Sequence, residues 1–433
     1  MTYFNYAMIS HMWEEEEPLP HNIQNHSVYE LHPVGGIVKS QSFCKIARAA
    51  GYQWAWIDIC CVDQSNRVDF HESAGSKFLW YSRSALTVVH LSDVPSSSVS
   101  GALAKSAWNT RGWALPEFMA ARVVLFYQKD WTLYLDDHSP NHKESIMIMQ
   151  ELEAATGIDA QTLIAFRPGM RGARQILQWA SRRITTSRED ILYSLGGMLD
   201  VYLPVIYGER KEHVLGRLLQ EVISQSGDIT ALDWVGKSSE FNSCLSADLV
   251  SYQPPVYTLR SLSEDEMQTS FSSLQGAGVA DLALHLYTTL DRLTAPRFAA
   301  RRLHLPCIVF QVTTMVIQRR DQEQETHRTY VVKANGLHDV AITTKDKLTQ
   351  FSPTRPTRQT FLLVRPWNRD LLEVPNFADD MQDPSADKSD TSLGGAGPPG
   401  KNEVVDLDPY SRALRLVIRL GLPFHALLLG QER

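Results

Sequence analysis

Along residues 6–135 the apolar positions switch between strand and helix spacing. Tyr6–Ser10 (YAMIS) is a short apolar run. Phe43, Ile46, Ala47 and Ala50 then recur at helical spacing, and Gly51 supplies a stop. Trp54–Ile59 (WAWIDI) predicts a buried strand that runs into a polar loop of Cys60, Cys61, Asp63, Gln64 and Ser65. Ala74, Phe78, Tyr81 and Ala85 form a second helical stripe, and Leu86–Leu91 and Val123–Tyr127 are further strand-like runs. Between those two runs Trp108–Ala121 predicts a helix, interrupted near its start by Gly112 and Pro116. A β-α-β-α order of this kind predicts a mainly parallel sheet with right-handed crossovers, an α/β domain over residues 4–140.

From residue 141 the pattern turns helical. Ile146, Met149 and Leu152 make one stripe closed by Gly157, and Leu215, Leu218, Leu219, Val222 and Ile223 make another closed by Gly227. Residues 141–235 are therefore expected to be a helical extension packed on the α/β unit. Beyond Trp234, the runs HLPCIVFQVTTMVI, TYVVKANG, DVAITT, QTFLLVRPW and ALRLVIRL are rich in β-branched residues. They predict a β-rich region over 236–375, preceded by one helix, Val279–Leu293. Residues 376–404, rich in Asp, Ser, Gly and Pro, read as a disordered acidic insertion. Residues 405–433 are expected to supply terminal strands, with the question of a truncated gene product left open.

Charge narrows the function classes. The formal net charge is -7 and no Lys/Arg tract stands out, which argues against nucleic acid as a partner. The five cysteines, Cys44, Cys60, Cys61, Cys244 and Cys307, are odd in number and scattered, the pattern of reduced thiols rather than a disulfide framework. On a strand, Cys60 and Cys61 would point to opposite faces, and Asp58 with Asp63 lacks further ligands, so no metal is expected. The N-terminus has no signal-peptide pattern, and the longest apolar run near the C-terminus contains Arg419 and Pro423. A cytoplasmic protein without a membrane span is the expectation.

Candidate chemistry gathers after the strands. Asp58 sits in an apolar run, where a charge is costly unless paired or used. Polar clusters follow three strands, SHMW (Ser10–Trp13), DICCVDQS (Asp58–Ser65) and SDV (Ser92–Val94). In a parallel sheet they converge on the carboxyl edge, where α/β proteins bind ligands. TRGWALPEF opens the next helix near that edge, with Trp113 and Glu117 on one face. Such a pair alone is common in ordinary cores. A thiol paired with His11, His71 or His90 is the weaker idea, because cysteine in an apolar strand is usually inert packing. Neither GxGxxG nor GxxxxGK[ST] occurs, which speaks against Rossmann and P-loop phosphate binding.

The ordered set is more specific than its parts. YAMISHMW, WIDICCVDQSN, ESAGSKFLWYSRSALTVVHLSDV and WNTRGWALPEFMAARVVLFY resemble the motif blocks of the fungal HET (heterokaryon incompatibility) domain. Arg188–Val222 resembles the segment that closes that family's region, so the resemblance covers about residues 4–235. The C-terminal third is similar to an uncharacterised extension on some basidiomycete HET proteins. The resemblance implies a role in fungal non-self recognition, with regulated cell death triggered through protein partners or self-assembly.

HET domains are in turn similar to TIR domains, which implies a TIR-like, flavodoxin-like parallel sheet. In TIR enzymes that cleave NAD, a Trp and a Glu four residues later lie on the helix after the third strand, and Trp113 and Glu117 match that placement. The alternative function so implied is a NAD glycohydrolase with NAD as substrate, no cofactor, and Glu117 as the catalytic carboxylate. A carboxylate there would stabilise an oxocarbenium-like ribose. Ser10, His11 and Trp13 would line the nucleotide side, Arg111 would neutralise a phosphate, and Asp58, Asp63, Ser65 and Trp113 would bind the nucleotide or line the site. Two departures bear on this. Pro116 stands where many members carry Gln, so the helix must start near Trp113 or kink. The run Glu14–Glu17 would weaken phosphate binding nearby.

Overall fold

A computed structural model of the chain describes residues 4–13, 17–18, 20–63, 66–169, 172–254, 262–276, 279–318, 328–344, 360–367, 409–422, 424 and 426–431. Its contacts divide the chain into two units, Met1–Val256 with Arg297–Leu303, and Tyr257–Pro296 with His304–Arg433.

In the first unit, strands β1 (Tyr6–His11), β2 (Trp54–Trp56), β3 (Leu86–His90) and β4 (Val124–Tyr127) form a parallel sheet in the order β2-β1-β3-β4. Residues 7–11 of β1 and all of β3 are buried, as expected for central parallel strands covered by helices on both faces. Helices Gly36–Ala49, Arg67–Arg83 and Ala114–Ala120 lie between successive strands. On one side Ala7, Ile9, Ile57, Leu86 and Val88 pack with Phe43 and Ala47. Tyr81 is buried and donates its hydroxyl proton to the Ile9 carbonyl at 2.7 Å. The strand order reverses between β1 and β3, which opens a crevice beyond their carboxyl ends.

Three sequence expectations change here. The second strand ends at Trp56 rather than Ile59, and Asp58–Cys61 is a short helix. The cause is local, since the Asp58 carboxylate accepts the Ile59 amide at 2.9 Å and turns the chain out of the extended conformation. Cys60 and Cys61 are therefore neighbours on a helical turn, not on opposite faces of a strand. The expected helix Trp108–Ala121 is two pieces, a 3-10 turn Ala107–Thr110 and the α-helix Ala114–Ala120. Between them Arg111 pairs with Ile184, the Gly112 amide bonding to the Ile184 carbonyl and the Ile184 amide to Thr110, both at 2.8 Å. A Cβ on Gly112 would stand 2.5 Å from the Thr185 methyl, so only glycine permits this approach.

Pro116 is the third residue of its helix, where no amide has a partner within the helix. The first helical bond runs from the Glu117 amide to the Trp113 carbonyl at 3.1 Å. The helix thus starts beside Trp113, the first of the two arrangements that Pro116 allows.

The predicted stripe Leu215, Leu218, Leu219, Val222 and Ile223 is buried throughout, whereas of the first stripe Met149 and Leu152 are buried and Ile146 is not. In Ile146–Thr156 the inward residues are Ile148, Met149 and Leu152, while Ile146 is exposed at the first position. Gly157 closes that helix with φ 69°, and Gly227 closes Lys211–Ser226 likewise, each amide returning to a carbonyl four residues earlier.

The second unit holds a five-stranded antiparallel sheet in the order Leu427–Gln431, Thr360–Pro366, Cys307–Gln318, Arg328–Ala334, Val340–Thr344. Helices Glu264–Gly276, Ala280–Asp291 and Pro409–Leu420 contribute to a core of Ala283, Tyr287, Leu290, Ala413, Leu414 and Leu416 around Trp367. The strand expected at ALRLVIRL is thus a helix. Ala413, Leu416 and Leu420 recur at three- and four-residue steps and pack on one side, a spacing that the alternation of Leu and Arg masks. Of the terminal strands expected over 405–433, Leu427–Gln431 forms. The insertion expected at 376–404 lies outside the described residues.

Candidate functional site

Two hydrogen-bonded groups occupy the carboxyl end of the sheet. The deeper one joins β1 to helix Ala114–Ala120. The Ser10 hydroxyl donates to Glu117 Oε2 at 2.5 Å and accepts the Trp108 indole N–H at 2.9 Å. Ser10 and Glu117 are 1% and 3% exposed, so the Glu117 carboxylate points into the protein interior. The Trp108 ring is held edge-on against Phe118 and Phe126.

The outer group centres on Asp58. Its Oδ1 accepts from His11 Nε2 at 3.0 Å and from the Ile59 amide at 2.9 Å. Its Oδ2 accepts from Trp13 Nε1 at 3.1 Å and from Lys77 Nζ at 3.2 Å. Burial alone would raise the Asp58 pKa, but Lys77 foremost, with His11 and Arg111, outweighs it and holds the carboxyl far below the ordinary carboxylate range. Behind His11, the Lys39 ammonium donates to the Met12 carbonyl at 2.9 Å and pairs with Glu17. The Arg111 guanidinium donates to the His11 carbonyl, and Arg183 donates to the Arg111 carbonyl at 3.0 Å.

Asp58 lines a cleft of about 560 Å³ together with Met12, Trp13, Lys77, Arg111 and Trp113 from the strand ends and helices, and Thr185, Ser187, Asp190 and Tyr207 from the later segment. The Lys77 ammonium stands 4.8 Å from the centre of the Trp113 ring. Asp190 is hydrogen-bonded by Tyr207 and Trp113, yet burial raises its pKa, and its Oδ1 has no hydrogen-bond partner. One cleft therefore presents a carboxylate locked in its ionised form and a second whose charge is disfavoured.

Of the residues singled out from sequence, Trp13, Asp58, Arg111 and Trp113 line this cleft, whereas Ser10, His11 and Glu117 are buried and not among its lining. Asp63 is exposed and also outside the lining. Ser65 and Glu14–Glu16 lie outside the described residues, and Glu17 is half-buried. Sequence reasoning missed Lys39, Lys77, Asp190 and Tyr207. Lys39 carried a usable signal, because it stands four residues before Phe43 on the same buried helix face. Among the described residues no group of three His, Cys, Asp or Glu side chains is placed to hold a metal ion, and no helix is long and apolar enough to cross a membrane.

Residues 6–106 match the family model described as heterokaryon incompatibility protein (HET), a span that holds β1, β2, β3 and Asp58 with its partners His11, Trp13 and Lys77. The chain carries a HET domain. The vegetative incompatibility protein HET-E-1 of Podospora anserina is 31% identical to it over 243 residues, which is 52% of this chain and 17% of the relative. The chain thus spans less than a fifth of that relative's length. No solved structure matches it. The HET match stops short of Arg111, Trp113 and Glu117, so it covers one wall of the cleft and not the wall built by Thr185–Tyr207.

Proposed function

We propose that this chain acts in fungal heterokaryon incompatibility and that its HET domain triggers regulated cell death as a cytoplasmic interaction module, through protein partners or self-assembly. The observation that carries this choice is the burial of Glu117 under the Ser10 hydroxyl and the Trp108 indole. The carboxylate that a TIR-type cleavage of NAD would need is engaged in holding β1 to the helix that follows Trp113. The HET match and the likeness to a vegetative incompatibility protein support the pathway.

The cleft favours a second reading, cleavage of the nicotinamide–ribose bond of NAD. Its volume falls in the range of small-molecule sites. It offers an indole face at Trp113, cations at Lys77 and Arg111, and an ionised carboxylate at Asp58 that could face a developing ribosyl cation. One experiment separates the two. Wild type and Glu117→Gln are overexpressed in a fungal host, and each purified chain is incubated with NAD while nicotinamide is measured. Death caused by both proteins with no nicotinamide released supports the module. Nicotinamide release by wild type establishes the glycohydrolase instead, and a loss of about 100-fold or more in a folded Asp58→Asn or a folded Glu117→Gln tells which carboxylate carries it.

A further inference from the structure

A second cavity, about 550 Å³, lies in the first unit and shares Ile184 and Thr185 with the lining of the HET cleft. Four cations line it, Arg183, Arg188, Arg210 and Lys211, against two carboxylates, Glu212 and Asp248. The carboxylates are already engaged. Asp248 pairs with Lys211 at 3.3 Å, and Glu212 accepts the Ser239 hydroxyl at 2.8 Å, the Glu240 amide and, at 3.4 Å, Arg210. Arg210 also reaches Glu240 at 3.2 Å.

That leaves two guanidinium groups uncompensated. Arg183 donates to the Arg111 carbonyl and has no ion-pair partner among the described residues, and burial pushes its pKa down to about 10. Arg188, exposed at the same cavity, makes no ion pair or hydrogen bond among the described residues. A partly buried cation without a counter-charge is costly unless something neutralises it. Lys211 and Glu212 also open the helix Lys211–Ser226, whose positive end adds to the field. We propose that this cavity binds a small phosphate-bearing anion, with Arg183 and Arg188 as its main charge partners. Guanidinium forks suit phosphate oxygens, and two of them set at one cavity select a multiply charged group over chloride.

The test is calorimetric titration of the full chain with inorganic tripolyphosphate at low ionic strength, with sodium chloride of matched ionic strength as control. One saturable site is expected, and Arg188→Gln should weaken it about tenfold or more. Arg188 has no partner to lose, so that variant should keep the wild-type melting temperature without ligand. Arg183→Gln should weaken binding as well, and circular dichroism will show whether its lost contact with Arg111 disturbs the fold. Lys77→Gln, in the HET cleft, should leave the affinity unchanged. Absence of saturable binding, equal binding by Arg188→Gln, or a loss in Lys77→Gln alone would each overturn the proposal, the last by placing the anion in the HET cleft.

Discussion

Asp58 shows what a single residue can be asked to carry. Its two oxygens accept from His11, Trp13, Lys77 and the Ile59 amide, so removing the carboxylate strands a half-buried ammonium and a buried imidazole together. Asp58→Ala should lower stability by about 3 kcal/mol, measured by denaturant unfolding at neutral pH. The pH dependence has a definite sign. The folded pKa is depressed, so the unfolded chain takes up the proton first as pH falls. The stabilisation from Asp58 is complete above the ordinary carboxyl pKa near ~4 and declines below it. Wild type should therefore lose stability below about pH 4 more steeply than Asp58→Asn. Asp190 runs the opposite way, because burial raises its pKa. Asp190→Asn should raise the melting temperature at pH 7, and the gain should vanish in acid where both carboxyl groups are protonated. An isolated charge in an apolar run made Asp58 legible in the sequence. His11 and Trp13 were legible with it as residues of the same sheet edge, but Lys77 was not, since it lies a helix away and no local spacing ties it to Asp58.

At the scale of elements, the central strands and the long helices were readable because burial on both faces, or on one stripe, leaves a regular pattern. The failures are at edges and breaks. The strand at Trp54 pairs on one side only, with β1, and a single side chain–backbone bond suffices to end it. The break at Arg111–Gly112 depends on Ile184, which no neighbouring residue announces. Gly112→Ala should cost about 1–3 kcal/mol, because its methyl group would force Thr185 aside. Pro116→Ala should change stability by less than about 1 kcal/mol, since that position has no helical amide to restore. Thermal unfolding of the two variants side by side checks both expectations.

At the scale of the molecule, the parallel sheet and the strand-rich second unit were foreseeable from the alternation of patterns. The cleft was only half foreseeable. One wall comes from the polar clusters that end the first strands, and sequence places those together as soon as the strands are parallel. The opposite wall, Thr185 to Tyr207, lies some seventy residues or more beyond Arg111, and nothing periodic marks it. The Arg111–Ile184 pairing therefore bears on how the HET region can be dissected. A fragment ending near residue 140 would keep all four strands and the motif blocks up to Tyr127, yet would leave the Thr110 carbonyl and the Gly112 amide without their partners and expose the Trp113 face of the cleft. The smallest piece able to stand alone and still present the cleft must extend past Tyr207, so autonomy here belongs to a longer stretch of chain than the motif blocks that carry the four strands.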